Sequence, residues 1–249
     1  MKRIDKRMLV LALVLMMLAA TGNVESYAAG SKAQSKKAIK AYSKVLTGYS
    51  NLAKKLSKKQ DAGTIPKDIS SLWVDQFRLL TLNGMKNMKV VYRIEDINND
   101  GIPEMFVGMK YTDSLGASKS ILNVVYTYKK KAIMLAEGTG DRACVELHEN
   151  GVIATFHYGG AGFYGYTYYK LPKKSAKLKK KVQVEADWGK FTKTVNNGKS
   201  QSITQDEYNA VVTQYSKTKI SPKWVILSKN AIKATKKGFA TYKEYKKKK

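Results

Sequence analysis

Cysteine and histidine are nearly absent from this sequence of 249 residues. It has one cysteine, Cys144, and two histidines, His148 and His157. A single cysteine excludes an intramolecular disulfide. The sequence also lacks a glycine-rich phosphate loop and the common hydrolase signatures. Because no such motif is present, any catalytic site would have to consist of residues scattered along the chain.

Acidic residues are also scarce, with 19 against 46 basic ones and a formal net charge of +27. All but five of the basic residues are lysines, which act as point charges and are poorer than arginine at bidentate recognition. The lysine runs are spread along the chain and predict a diffuse surface that adheres to polyanions. An anionic cell-wall polymer, an anionic membrane or a glycan fits such a surface, without specific nucleic-acid recognition. The alternative is that the lysines only solvate the surface.

Residues 1–28 have the pattern of a secretory signal peptide. A basic segment, residues 1–7, precedes an apolar run from Met8 to Ala20. That run is shorter than the ~20 residues of a membrane span, and Ser26-Tyr27-Ala28 provides a cleavage site. We therefore expect a secreted or cell-wall-associated protein with no transmembrane span after cleavage. An uncleaved anchor is the alternative.

One nine-residue segment, 96–104, has a spacing that specifies chemistry. Oxygen-bearing side chains occupy its first, third, fifth and ninth positions, and Gly101 stands at the sixth. Alternate side chains of a curled loop can surround Ca²⁺, which takes about six to eight oxygen ligands, and the glycine permits the sharp turn. The predicted ligands are Asp96, Asn98, Asp100, the Ile102 carbonyl and Glu104.

The flanks of this segment predict strands. Val90–Ile94 before it and Met105–Met109 after it are β-like and partly alternating. The helix–loop–helix type of calcium site has a glutamate at its twelfth position, where this sequence has Val107. We therefore predict strand, calcium loop, strand.

The segment resembles the Asp-x-Asp-x-Asp-Gly-x-x-Asp loop of FG-GAP (integrin-type) repeats. It is more closely similar to the Asp-Ile-Asn-x-Asp-Gly-Ile-Pro-Glu segment of uncharacterised secreted proteins of low-GC Gram-positive bacteria. The strict match covers the nine residues, with weaker similarity over Tyr92–Tyr128. Glu104 stands where the integrin-type loop has aspartate, and the motif occurs once, which excludes a propeller. The alternative interpretation is an acidic turn at Asn99-Asp100-Gly101 without metal.

Apolar residues at helical spacing predict helices before and after the β-rich part of the chain. Lys36–Lys58 is an amphipathic helix that we expect to pack on a sheet, with an anionic membrane as the alternative. A short helix follows from an N-cap at Asp68 or Ser70. Near the other end, Thr204 and Glu207 form a capping box for the helix 205–216.

Eight or nine segments between the helices have strand character and short connections, which predicts antiparallel pairing. The fold class is α+β, an antiparallel β-meander sheet with an N-terminal helix and a late helix packed on it. The predicted organisation is a signal peptide (1–28), the N-terminal helix (29–60) and an α+β domain (61–249) with a disordered lysine tail (246–249).

Two further groups raise the question of catalysis or ligand binding. Cys144 and His148 lie on one strand face but two steps apart, about 13 Å, too far for a nucleophile–base pair, so a buried structural cysteine is favoured. Asp141, Glu137 and Glu146 are the available acids nearby. The segment Gly159–Tyr169 either exposes tyrosines for stacking on sugars or packs one face into the core.

The sequence as a whole favours a secreted, calcium-binding interaction module without catalysis, in which calcium is mainly structural. The alternatives are an extracellular hydrolase acting on cell-wall or glycan substrates, and a basic surface protein that adheres to polyanions.

Overall fold

The computed structural model describes residues 6–140 and 142–248, and for residues 6–31 it describes the backbone alone. Residues 1–5, and the side chains of the rest of the predicted signal peptide (1–28), therefore lie outside the described part. Within that part, no helix combines the length and the apolarity that a membrane crossing requires.

In chain order, two helices come first, ten strands follow, and a C-terminal segment of helices and two short strands comes last. The helices are α1 (Lys6–Ser57), α2 (Ser71–Leu82), α3 (Gln205–Ser216), α4 (Lys229–Lys236) and α5 (Tyr242–Lys246). The first six strands are β1 (Lys86–Glu95), β2 (Glu104–Thr112), β3 (Ser118–Lys129), β4 (Lys131–Glu137), β5 (Ala143–His148) and β6 (Val152–Gly160). The others are β7 (Phe163–Lys170), β8 (Lys179–Asp187), β9 (Lys190–Val195), β10 (Gln201–Ile203), β11 (Lys219–Ile220) and β12 (Val225–Ile226).

The strands form two antiparallel sheets. The first sheet has the order β12-β1-β2-β3-β4, and the second has the order β10-β9-β8-β7-β6-β5-β11. Each sheet is a meander of consecutive strands with one late strand added at its edge. The predicted α+β class and antiparallel meander are confirmed, with the strands divided between two sheets.

The first sheet is covered by α1, α2 and α4. Tyr42, Leu46 and Tyr49 of α1 are fully buried at helical spacing, and the Tyr49 hydroxyl lies 2.7 Å from the Tyr126 hydroxyl of β3. α2 begins at the N-cap Ser70, whose side chain accepts the Trp73 N–H. The predicted N-terminal helix is therefore part of the main core.

The second sheet is covered by α3. Thr204 and Glu207 form the predicted capping box, and the helix places Tyr208 and Val211 against strand residues such as Val184. Tyr215, one turn further along, stacks on Tyr168 of β7 with ring centroids 3.8 Å apart. The late helix thus packs on a different sheet from α1.

A third apolar cluster joins the two sheets. Its buried members come from the first sheet and its loop (Ile97, Phe106, Val125) and from the second sheet (Val145, Leu147, Ile153). Because side chains alternate along a strand, each sheet uses one face for its helices and the other for this junction. The order of layers is helices, first sheet, second sheet, α3.

The C-terminal segment returns to the first sheet after the second is complete. β12 pairs with β1, and α4 buries Ala231 and Ala234, small residues that allow close packing beside α1. α5 then continues to Lys246, the first residue of the predicted tail, while Lys249 lies outside the described residues. The two ends of the chain are thereby brought into one helical layer.

Candidate calcium loop

The 96–104 segment lies where predicted, between two paired strands. β1 ends at Glu95 and β2 begins at Glu104, and these two residues face each other across the strands. Ile94 also pairs with Met105. Asn99 and Gly101 both have positive φ, 56° and 84°, so the chain makes the tight curl that the glycine predicts.

The carboxylates of Asp96 and Asp100 organise the curl. Asp96 accepts the N–H groups of Asp100 (3.2 Å) and Gly101 (2.7 Å). Asp100 accepts the Ile102 N–H at 2.8 Å through Oδ1. Each carboxylate oxygen can accept more than one partner, so these bonds shape the loop without using up its oxygens.

Asn98 points into the junction between the sheets. Its side-chain amide donates to Asp100 Oδ2 (3.1 Å) and to the Pro172 carbonyl (3.4 Å). Its Oδ1 is buried and has no hydrogen-bond partner among the described residues. A buried carbonyl oxygen without a partner costs free energy, and a hard cation would satisfy it.

Glu104 forms the floor of the loop. It is fully buried, where Thr127 Oγ1 donates to Oε1 (3.0 Å) and the Ile97 N–H donates to Oε2 (3.3 Å). Burial raises the pKa of Glu104 to about 8, hydrogen bonds oppose the rise, and the charges of Asp100 and Asp96 add to it. A carboxylate is thus disfavoured at this buried place unless a cation offsets its charge.

The donor set fits calcium by chemistry, since every predicted ligand is an oxygen. Among the described residues, however, no three histidine, cysteine, aspartate or glutamate side chains are grouped closely enough to hold a metal. The Asp96 and Asp100 oxygens face backbone N–H groups, and the Glu104 oxygens face Thr127 and Ile97. The structure therefore brings the predicted residues into one loop but does not form them into a closed cage.

The loop contacts two turns of the second sheet, which the sequence did not reveal. The Lys174 N–H, in the β7–β8 connection, donates to Asp100 Oδ2 at 2.7 Å. Gly151, in the β5–β6 turn, has φ +67°, and a Cβ there would come within 2.8 Å of Asn98 Cβ. The Asn-Gly pair at 150–151 indicates a turn, but its contact with residue 98 depends on how the sheets pack.

Of the acidic residues considered for catalysis, Glu146 is already engaged by neighbouring side chains. Glu146 lies 2.6 Å from Lys219 Nζ and 3.6 Å from Nε2 of the buried His148. Burial alone raises the pKa of Glu146, but the neighbouring His148 and Lys219 side chains outweigh it and lower that pKa. Glu137 is exposed at the end of β4, and Asp141 lies outside the described residues. The ion-paired Glu146 is thus kept ionised and is unsuited to act as a general acid.

The tyrosines of the 159–169 segment are mostly packed. Tyr164 lies edge-on to Tyr208 at 5.9 Å, and Tyr168 is buried beneath α3. The exposed aromatic residues stand at the tips of hairpins instead: Tyr158 (41% exposed), Phe163 (38%) and Trp188 (75%). The packing interpretation accounts for most of the segment.

Comparison of the chain with protein-family models, with curated proteins and with solved structures found no match.

Proposed function

We propose that this protein is an exported, calcium-stabilised binding module without catalytic activity, in which calcium has a structural role. The observation that carries the proposal is the buried Asn98 Oδ1, which lacks a hydrogen-bond partner among the described residues, on a side chain whose amide nitrogen contacts the Asp100 carboxylate. The 96–104 loop sits where the first sheet meets two turns of the second. A cation there would stabilise the loop and, through it, the junction.

A structural cation also suits an exported chain that has no disulfide. Extracellular calcium is plentiful enough that a weak site suffices. At free calcium 100-fold above the dissociation constant, binding stabilises the folded state by about 2.7 kcal/mol. That is a large part of the ~5–15 kcal/mol by which a typical domain is stable.

The experiment is a thermal melt of the purified protein with calcium and with a chelator. We expect calcium to raise the melting temperature of the wild type, and Asp100→Ala to abolish the increase. Asp113→Ala is the matched control, because Asp113 also accepts two turn N–H groups but lies outside the loop. If the melting temperature of the wild type were the same with calcium and with the chelator, the segment would be an acidic turn that binds no metal.

The partner of the module is proposed to be an anionic cell-wall polymer or a glycan that binds the lysine-rich surface. Positive charge supports the anionic polymer. The exposed Trp188, which packs over Gly162 with one side, supports a sugar, since aromatic rings offer flat apolar faces.

An extracellular hydrolase is the second candidate, and one cleft favours it. A cavity of about 430 Å³ at the sheet junction is lined by Cys144, Glu146, Lys219 and Trp224, among others. An activity screen on peptidoglycan and glycans tests it. If the wild type turned over such a substrate and Glu146→Gln abolished this activity, the hydrolase would supersede the binding module as the proposed function.

A further inference from the structure

The excess positive charge is concentrated in the helical layer, contrary to the diffuse surface that the sequence predicts. Residues 32–59 and 229–248 contain 17 lysines and one acidic residue, Glu244, for a net charge of +16. Residues 60–228 contain 24 basic and 16 acidic residues, for a net charge of +8. The shorter part of the chain thus holds twice the net charge of the longer part.

Folding brings these two segments together on one surface. α1 packs against α4, and α4 against α5, and the backbone at Gly238 lies under Lys36, where an added Cβ would come within 2.3 Å of Lys36 Cγ. All 17 lysines are exposed. Among the described residues only one of them, Lys44, has a salt bridge, to Asp68 at 3.8 Å. We call this surface, residues 32–59 with 229–248, the basic helical face.

A regular row of lysines runs along α1 within this face. Lys32, Lys36, Lys40 and Lys44 are spaced four residues apart, so they form one inclined row on the helix surface. Because an α-helix rises 1.5 Å per residue, successive lysines of this row are about 6 Å apart along the axis. We call these four residues the lysine row.

Clefts beside the row are lined by further lysines. One of about 690 Å³ has Lys32, Lys36, Lys247 and Lys248 in its walls, together with the acidic Asp96 and Glu244. Another of about 700 Å³ has Lys40, Lys44, Lys67, Lys130 and Lys131, with Asp68. A third, of about 350 Å³, lies along α4 between Lys229, Lys233, Lys236 and Lys237. The face therefore offers repeated cationic recesses along its length.

The rest of the face argues against a membrane or a nucleic acid as the occupant. Interfacial helices insert large apolar side chains into lipid, and single-stranded nucleic acids stack their bases on aromatic rings. Among the side chains that the structure describes, the exposed large hydrophobic residues all lie outside this face: Leu79, Leu82, Leu115, Tyr158, Phe163, Trp188, Val195, Ile220 and Ile226. The aromatic rings within the face, Phe239, Tyr242 and Tyr245, are half-buried and packed on one another. Point charges without exposed stacking surfaces match a polymer of phosphates that carries no bases.

We propose that the basic helical face binds a flexible linear polymer with one phosphodiester in each repeat and no aromatic bases, with successive phosphates contacting the lysine row. The inference rests on the proposed function as a binding module and names its partner class and its surface. The interaction is a series of lysine–phosphate contacts that release bound counterions, so its affinity falls with salt.

The test measures binding of the purified protein to a synthetic glycerol-phosphate oligomer across a salt series. The variant changes all four residues of the lysine row to glutamine, which keeps helix propensity. The matched control changes four exposed lysines of the second sheet and its connections, Lys177, Lys181, Lys190 and Lys199, to glutamine, for the same change in net charge. Thermal melts verify that both variants fold.

We expect the row variant to bind the oligomer roughly tenfold or more weakly at low salt, and the control to stay within about twofold of the wild type. Each phosphate contact on a single strand contributes about −0.7 to the slope of log K against log salt, so the row variant should lower the magnitude of the slope by up to about 3. Equal losses in the two variants would mean a general effect of net charge and would overturn the proposal.

Two further outcomes separate the partner classes and the two proposals. Binding to anionic lipid vesicles without binding to the oligomer would replace the polymer with a membrane surface. A protein that melts higher in calcium but ignores the oligomer rejects this inference alone. A protein that binds the oligomer through the lysine row but melts identically with calcium and chelator rejects the calcium proposal alone.

Discussion

The two sheets of this protein are covered to very different extents. Among the side chains that the structure describes, the cluster around the first sheet has 23 buried apolar residues, from three helices, the α1–α2 connection and the strands, whereas the cluster beneath α3 on the second sheet has eight. Burial of apolar surface is the main favourable contribution to folding, so the first sheet has far more of it. The second sheet therefore depends more on its junction with the first.

The junction is where the acidic loop lies. Its Ile97 belongs to the apolar cluster between the sheets, while Asn98 and Asp100 hydrogen-bond to Pro172 and Lys174 of the second sheet. A cation that fixed this loop would stabilise the second sheet, which has the smaller core, through the loop's contacts with Pro172 and Lys174. The difference between the sheets explains why calcium would matter to a protein with an ample core elsewhere.

The largest expected effect comes from opening the core of the first sheet. Trp73 is fully buried with Tyr49 edge-on at 4.8 Å. We expect Trp73→Ala to lower the free energy of unfolding by about 3–5 kcal/mol, because it leaves a large cavity. Urea denaturation measures it. A smaller loss than for Tyr208→Ala, beneath α3, would contradict the ranking of the two sheets.

A glycine at the junction should have the next largest effect. Gly151→Ala places a methyl group 2.8 Å from Asn98 Cβ at φ +67°, and we expect a loss of about 2–3 kcal/mol from strain and displacement of the loop. Gly189→Ala is the control, with φ +84° and no atom within 4 Å of the added Cβ. Equal losses would show that Asn98 is not pressed against this turn.

The pH dependence of stability without calcium should follow Glu104. Its pKa is raised to about 8 from the ordinary value of 4.5, so between these pH values the folded state holds a proton that the unfolded state releases. Stability is then full below pH 4.5 and falls as the pH rises towards 8, by at most about 1.4 kcal/mol per pH unit for one proton. Denaturation in chelator across this range measures it, and Glu104→Gln should remove the decline.

The smallest effect is expected at the cap of α3. Thr204 accepts the Glu207 N–H at 3.2 Å, and Thr204→Ala should cost about 1 kcal/mol. Hydrogen exchange should show the loss within α3 and the strands beneath it. Thr241→Ala removes the equivalent capping box of α5 and serves as the comparison. If that change increased hydrogen exchange in the second sheet as much as Thr204→Ala does, the two sheets would not have separate helical layers.

Local features of the fold were predictable from the sequence, and long-range ones were not. The capping box at Thr204, the N-cap at Ser70 and the Asn-Gly turn before β6 are all short-range hydrogen-bonding patterns, and each is present. The division into two sheets depends on which strand faces pack together, and alternation alone does not specify that. The return of β12 to β1 joins residues more than a hundred positions apart.

The candidate site shows the same limit. The spacing of Asp96, Asn98 and Asp100 predicts a curled loop between strands, and the structure has one. The contacts with Gly151 and Lys174, and the concentration of lysines on one helical layer, arise only when distant segments meet. The sequence shows where lysines lie along the chain, but their density on the surface depends on the packing of α1 beside α4.

The most direct test of the central claim is hydrogen–deuterium exchange with calcium and with chelator. The claim is that a cation at the 96–104 loop stabilises the junction between the two sheets. We expect calcium to slow exchange of the loop amides and also of Lys174 and Leu171, whose N–H groups bond to Asp100 and Gly151. Protection confined to residues 96–104, or none, would contradict the account.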